Sequence, residues 1–429
     1  MTDLLTLLAN FLKSHASQAQ DTAQWYLACS GGRDSMALAF ACVLLHKAGK
    51  LDYLPTLIHV NHNLQRSSDL WADFVVQFAK CHHLPCQVVS VDVCHHSENG
   101  ARQARYQAFF EVMSDGDAIL LAHHADDQAE TMLMRLINGT GLHGLTAMKP
   151  VQIKRNINQD GTSKAIKVYR PWLFAGRDLI DQFCQTHQLQ YIDDPTNFTG
   201  KNTRSILRQN VLPNLYKLNP KFTQNFAKAS CHLGQIDEFI THHVDQAIEE
   251  CVQVRHTFES QLCIDKLNCH HSAIIPLIIQ RFIQGDEIAP CGSQLIDDIT
   301  HLITRNDGDH ATRLFWQGVK DSFVFMRYDN VLYRLNVRLW QALQGDFMWQ
   351  DGYFISKIDN AIVFNAPKTK PRPLAKTDKV IIKHRALSGK KLYQTVRIAP
   401  WLRRHLWLDG DHLMSLGVTW SSDLVKCYK

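Results

Sequence analysis

Two rhythms of apolar residues alternate along the first third of the chain. Short apolar runs, WYLA (25–28), LPTLIHVNH (54–62), CQVVSVDV (86–93) and GDAILLAHH (116–124), each stop at a polar turn, and a segment of helical character follows. Runs this short, bounded by turn residues, read as buried strands. Strands that alternate with helices predict an α/β fold on a doubly wound parallel sheet. Such sheets bind ligands beyond the carboxyl ends of their strands. Ser30–Ser35, Asn61–Asn63 and His123–Asp127 all fall at such ends.

The opening MTDLLTLLANFLKS predicts an amphipathic helix laid on this first domain. It carries Asp3 and Asn10 and lacks a basic leader, so neither a signal peptide nor a membrane span is expected. The polar stretch KRNINQDGTSKA (154–165) reads as an exposed hairpin or loop. Beyond Pro213 the pattern turns helical, and the Pro- and Lys-rich NAPKTKPRPLAK (365–376) precedes a short piece with alternating residues such as VIIKHRAL. The expected plan is an α/β catalytic domain over 1–215, a mainly helical domain over 216–350 and a small α+β domain over 351–429.

At 429 residues, 45% hydrophobic and 20% charged, the chain has the composition of a globular protein with several domains. Its 12 cysteines include no C-x-x-C pair, which predicts free thiols and a reducing, cytoplasmic setting. Three Cys-His-His triplets, led by Cys81, Cys94 and Cys269, invite a zinc reading. Adjacent side chains cannot all face one tetrahedral ion, so chance among 23 histidines accounts for them better. The net charge of +5 is compatible with nucleic acid, and its distribution says more. From Lys368 to Arg404 stand twelve Lys/Arg against one acid, Asp378, the pattern of a phosphate-contacting face or of a well-solvated surface.

Candidate chemistry begins at ACSGGRDSMAL (28–38), where a strand stops at two glycines and a helix starts at once, closing near Gly49. Glycine enters the left-handed backbone region without steric cost, and the opening N–H groups of the helix suit an anion. The chain has no Gly-Lys-Ser/Thr close of a Walker loop. Its one dinucleotide fingerprint, Gly139–Gly144, follows a helix-like segment where a strand is required. What remains is a loop in which Ser30, Ser35 and backbone amides can hold a pyrophosphate, with a magnesium ion between it and Asp34. The plainer alternative is a tight turn with serine caps.

The second motif is LLAHHADDQAETMLMRLINGTGLHGL (120–145). With a helix starting near Ala125, Asp127, Glu130 and Met134 share one face, and Asp127 sits at a strand end near the first loop, able to share magnesium with Asp34. His123 and His124 precede it and can contact a nucleotide or a reacting oxygen. Helix-end electrostatics alone also explains acids here.

SGGRDS, HVNHNL, NGARQARYQAFF (99–110), the 120–145 block, RPWL…RDLI and YIDDPTNFTGKNTRSILRQNVLPNL together resemble the bacterial tRNA(Ile)-lysidine synthetases of the PP-loop ATP pyrophosphatase superfamily. In the last part only GKKLYQTVRIAPWLRRH is similar. The resemblance implies a PP-loop, Rossmann-like first domain, with ATP as substrate and Mg2+ on Asp34 and Asp127. It implies ligation of free L-lysine to carbon 2 of the wobble cytidine in tRNA(Ile) with anticodon CAU, through an adenylated base. It also implies ATP binding by Ser30, Gly31, Gly32, Arg33, Asp34 and Ser35, and catalysis by Arg102, Arg105, His124, Asp127, Glu130 and Arg204, with Glu130 orienting or deprotonating the amine. The basic tail, Lys383, Lys390, Lys391, Arg397, Arg403 and Arg404, is expected on tRNA. A homodimer is left open.

Two rivals stand beside this reading. A tRNA thiolase of the same superfamily would want positioned cysteines, and C-x-x-C is absent. A non-catalytic, ATP-responsive RNA-binding protein would have little need of both Asp34 and Asp127.

Overall fold

The computed structural model describes residues 3–16, 24–62, 68–91, 98–157, 163–193, 203–256, 259–305, 311–366, 370–375, 378–382, 385–409, 412–416, 418–420 and 426–428. The chain divides into two compact units, Met1–Glu238 and Phe239–Lys429, where the sequence suggested boundaries near 215 and 350.

The first unit opens with α1 (Leu4–Ala16), β1 (Trp25–Ala28), α2 (Arg33–Lys47), β2 (Thr56–Asn61), α3 (Ser68–Cys81), β3 (Cys86–Ser90), α4 (Glu98–Val112) and β4 (Ala118–Leu120). It continues with α5 (Ala125–Ile137), the single turn α6 (Leu142–Leu145), β5 (Val151–Ile157), β6 (Ser163–Tyr169) and α7 (Arg177–Thr186). Then come α8 (Thr203–Ile206), a π-helical turn (Leu207–Val211), α9 (Leu212–Leu218) and α10 (Phe222–Cys251).

Six strands form one sheet in the order β3-β2-β1-β4-β6-β5. All neighbours run parallel except the edge strand β5, which pairs antiparallel with β6. The polar 154–165 stretch is thus a hairpin whose second strand joins the main sheet; residues 158–162 of it lie outside the described set. Successive strand residues face opposite layers. Leu27, Leu57 and Leu120 pack with α1, α2, α3 and α7, while Tyr26, Ile58 and Ile119 pack with Phe109 and Met113 at α4 and beyond its end. The amphipathic α1 buries Leu4, Leu8 and Leu12, one turn apart, and the buried Trp172 indole donates to the Leu4 carbonyl (3.2 Å).

Strand order reverses at β1, because β2 and β4 lie on its two sides. The loops leaving β1 and β4 therefore diverge there and open a crevice. Cys29 lies one residue past β1, its N–H still donating to the Ile58 carbonyl (2.9 Å). Gly31 has φ +84°, as the sharp turn needs, and Gly49 (φ +66°) closes α2: Lys50 N–H reaches the Leu45 carbonyl at 2.9 Å and Gly49 N–H the His46 carbonyl at 3.0 Å.

In the second unit, Val252–His256, Glu259–Cys263, Val331–Asn336, Ser322–Tyr328 and Leu314–Gln317 form an antiparallel sheet in that order. It packs with helices Ile275–Gln284 and Ser293–Thr304. Its other apolar residues, Val324, Met326 and Leu335, share a core with Phe354, Trp401 and Trp407 from beyond position 350. The α-helix Gly389–Thr395 and short strands make up the C-terminal part.

A Cβ at Gly31 would stand 3.1 Å from Ile192 Cδ1 on a backbone that L-residues avoid. Gly31→Ala is expected to cost about 1–2 kcal/mol, read as a lower urea midpoint by tryptophan fluorescence.

Candidate active site

The crevice holds a cavity of about 660 Å3 lined from the β1–α2 loop, the ends of β2 and β4, the start of α5, Arg105 of α4, and α9. Its volume suits a nucleotide-sized ligand.

On one wall, the hydroxyls of Ser30 and Ser35 lie 3.2 Å apart, Ser35 Oγ donates to the Gly32 carbonyl (2.9 Å) and Gly32 N–H donates to Ser30 Oγ (3.3 Å). Ile192 N–H donates to the Gly31 carbonyl (2.9 Å), which turns that oxygen away from the loop interior. The N-terminus of α2 opens here with its partial positive charge. Arg33 is committed sideways: its Nε and Nη2 donate to Asp34 Oδ1 at 3.0 and 2.8 Å, and Nη1 pairs with Asp181 of α7.

Opposite, His124 stands at the N-cap position of α5, its ring Nδ1 3.3 Å from Asp126 N and 3.7 Å from Asp126 Oδ1, while its backbone N–H donates to Asp127 Oδ2 (3.2 Å). Its Nε2 lies 3.6 Å from both Asp34 Oδ2 and Asp127 Oδ2. Two carboxylates from the first turns of separate helices, α2 and α5, thus converge on one imidazole nitrogen. Burial disfavours charge on this ring, but Asp127, Asp126 and Asp34 outweigh it and raise its pKa to about 10. Burial likewise opposes ionisation of Asp34 and Asp127, and the surrounding cations, His124 foremost, hold both below the ordinary carboxylate range.

Two carboxylate oxygens facing a single cationic position are the hard donors that magnesium takes, the remaining ligands coming from phosphate and water. Among the described residues no group of three His, Cys, Asp or Glu is arranged to hold a metal alone. The pair therefore fits an ion that arrives with a phosphate-bearing substrate. The Cys94 triplet lies outside the described residues.

Glu130, 2% exposed, accepts from Arg204 Nε (2.6 Å) and from Arg208 through Nε (2.5 Å) and Nη2 (3.0 Å). The same two guanidiniums lie 3.6 and 3.4 Å from Asp127 Oδ1. Arg208 carried only a faint sequence signal, its i+4 spacing from Arg204. The intervening backbone passes into the π-helical turn, a local irregularity that often marks functional sites. Arg105 and Arg208 line the cavity, whereas Arg102 and Arg204 do not.

Motif spacing gave no role to Asp126, Tyr216 or Arg177, whereas it did name His123. Asp126 accepts from Tyr216 Oη (2.6 Å) at Oδ2, and its buried Oδ1 has no hydrogen-bond partner among the described residues. Arg177 shares that part of the cavity. His123 accepts from Arg170 Nε at Nδ1 (3.2 Å), and burial lowers its pKa to about 3, so it is neutral with the proton on Nε2.

In the basic tail, Arg403 donates to the Ile398 carbonyl (3.1 Å) and Tyr328 Oη (3.3 Å), Arg404 to the Gln344 carbonyl (2.7 Å), and Arg397 pairs with Asp329 (3.1 Å). Lys390 and Lys391 are exposed, and Lys383 lies outside the described residues.

Comparison with known proteins decides the family. A PP-loop domain pattern matches residues 4–215. The tRNA(Ile)-lysidine synthase of Psychrobacter sp. is 35% identical over 364 residues, covering 80% of this chain and 69% of that one. This chain belongs to the tRNA(Ile)-lysidine synthase family. The synthase of Pseudomonas syringae pv. tomato is 30% identical over 369 residues, 85% of this chain and 76% of that one. That of Acinetobacter baylyi is 31% identical over 312 residues, 72% and 62% respectively. A lysidine synthase fold with an ATP-type loop at a topological switch point is what the cavity presents.

The His124 contact sets a pH dependence. Its folded pKa of about 10 exceeds the ordinary 6.5, so its stabilisation is complete below about 6.5 and is lost as pH rises through about 10. In magnesium-free buffer, denaturant stability is expected to fall by a few kcal/mol, in order of magnitude, between neutrality and that pH, and His124→Gln to flatten this limb.

Proposed function

We propose that this cavity ligates free L-lysine to carbon 2 of the wobble cytidine of tRNA(Ile) with a CAU anticodon, through an adenylated base. The observation that carries the reading is the convergence of a glycine-serine loop at a helix N-terminus with Asp34 and Asp127, in a chain of the lysidine synthase family. The base oxygen attacks the α-phosphorus of ATP and pyrophosphate leaves; the lysine amine then attacks carbon 2 and AMP departs with that oxygen.

Ser30, Gly31, Gly32, Ser35 and the α2 N-terminus hold the departing pyrophosphate. Asp34 and Asp127 would hold Mg2+, which when bound neutralises charge on the phosphate oxygens. Arg33 keeps Asp34 in place through its Nε and Nη2 contacts. Glu130 has both oxygens committed to Arg204 and Arg208, so of its two expected roles it orients: it fixes two cations behind the adenylate. Arg105, on the wall, and Arg102, beyond it, contribute positive charge from α4. His124 holds a proton at Nε2 between the carboxylates until ligand replaces it. His123 offers a neutral Nε2–H to the base, and Asp126, whose Oδ1 lies 3.7 Å from His124 Nδ1 and makes no hydrogen bond among the described residues, is the carboxylate offered to the lysine ammonium. Lys390 and Lys391, and residues 216–350 and 351–429 more broadly, serve tRNA contact; free lysine, ATP and tRNA meet in the cytoplasm.

The thiolase alternative is disfavoured by Cys29. Burial pushes this thiol, on the cavity wall, up to about 11, so it is protonated near neutrality and a poor sulfur carrier.

With radiolabelled lysine, ATP and magnesium, lysine is expected to enter a CAU transcript and not a GAU transcript, and Asp34→Ala or Asp127→Ala to lower the rate by about 10²–10³-fold or more. AMP release without lysine incorporation would mean a different nucleophile. In filter binding, tRNA affinity should fall about a thousandfold between about 50 and 200 mM salt if about six phosphates are held. The double substitution Lys390→Gln, Lys391→Gln should reduce that slope.

A further inference from the structure

Near His123 on the cavity wall, four cations gather with no acid paired to them among the described residues. Arg102 of α4 and Lys154 of β5 each lie 5.6 Å from the centre of the Tyr106 ring. Arg170, 1% exposed at the end of β6, reaches His123 through Nε and the Lys149 carbonyl through Nη1 (2.8 Å). Arg135 of α5 donates to the Gly144 and Ala147 carbonyls (2.6 and 3.0 Å). Among the described residues no carboxylate pairs with any of the four, although ion pairs cover the other side of this wall at Asp127 and Glu130. The Tyr106 hydroxyl is buried and its proton has no acceptor among the described residues, while the Arg170 guanidinium, which can only donate, stands close to its oxygen.

Like charges drawn together in a part-buried place repel, and the repulsion persists only where something else offsets it. Its sign is visible in Lys154, whose ammonium is disfavoured first by burial and then by Arg102, Arg170 and Arg135. A multivalent anion relieves all of these terms and supplies the acceptor that Tyr106 lacks. Nucleotide phosphates are served by the β1–α2 loop on the far wall. A base that enters the cavity, however, must leave its own backbone at the rim, one helical turn from Arg105 to Arg102.

We propose that Arg102, Lys154 and Tyr106, backed by Arg170 and Arg135, seat one backbone phosphate of the substrate RNA, next to the nucleotide whose base enters the cavity. This rests on the reading of the cavity as a base-modifying site. The seat positions the RNA and carries no bond-making step.

The test uses the full chain and full-length tRNA. Lys154→Gln is expected to raise KM for tRNA about tenfold and to lessen the salt slope of tRNA binding by about one, leaving KM for ATP, KM for lysine and kcat at saturating tRNA unchanged. Tyr106→Phe should raise KM for tRNA in the same selective way. A tRNA with one methylphosphonate beside the wobble nucleotide should reproduce the loss in the wild type and add nothing in Lys154→Gln. An unchanged slope, a shift in KM for ATP, or additive losses from variant and methylphosphonate would overturn the seat. Failure of the wild type to incorporate lysine would instead overturn the proposed reaction, while the salt slopes of tRNA binding still test the phosphate seat.

Discussion

Everything at the cavity depends on one contact, the imidazole of His124 held between Asp34 and Asp127. The two carboxylates stand in the first turns of helices that follow the neighbouring parallel strands β1 and β4, so without a positive charge between them they would repel across the crevice. His124 occupies the N-cap position of α5 and is also the counter-ion. Its backbone and ring bind the start of α5, and its Nε2 ties that start to the β1–α2 loop. A site arranged in this way is shaped for a cation whose remaining ligands are phosphate oxygens and water.

Around this centre the charges are sorted by side. Arg204 and Arg208 neutralise Asp127 and Glu130 from the α8–α9 segment, and removing one partner from so buried a group would leave the other uncompensated. Beyond His123 the sorting gives an excess of the opposite sign, Arg102, Arg135, Lys154 and Arg170, with no carboxylate paired to any of them among the described residues. His123 separates the two regions because it is neutral: Arg170 donates to its Nδ1, which leaves that nitrogen no room for a proton.

The second unit uses its basic residues in two ways. Arg403 and Arg404 spend their donors on carbonyls and a phenol within the fold, and the Arg403 guanidinium lies 5.3 Å from the Tyr393 ring centre. Lys390 and Lys391, on the helix Gly389–Thr395, keep their charge in solvent. A count of basic residues therefore overstates the charge this region presents, since arginine also packs and bonds as a planar donor.

By itself the sequence determined the strand-helix alternation, the glycine turn at Gly31, the helix starting at Ala125 and the meeting of Asp34 with Asp127. Each follows from local periodicity, backbone sterics, or the rule that parallel strands deliver their loops to one edge. Only the tertiary structure decided that β6 enters the main sheet, that Arg208 joins Arg204 on Glu130, that Arg33 turns toward Asp181, and that Lys154 from a hairpin faces Arg102 from a helix. Those outcomes depend on pairing between residues far apart in the chain, and on which donor reaches a buried acceptor first. Spacing within a motif carries no information about either.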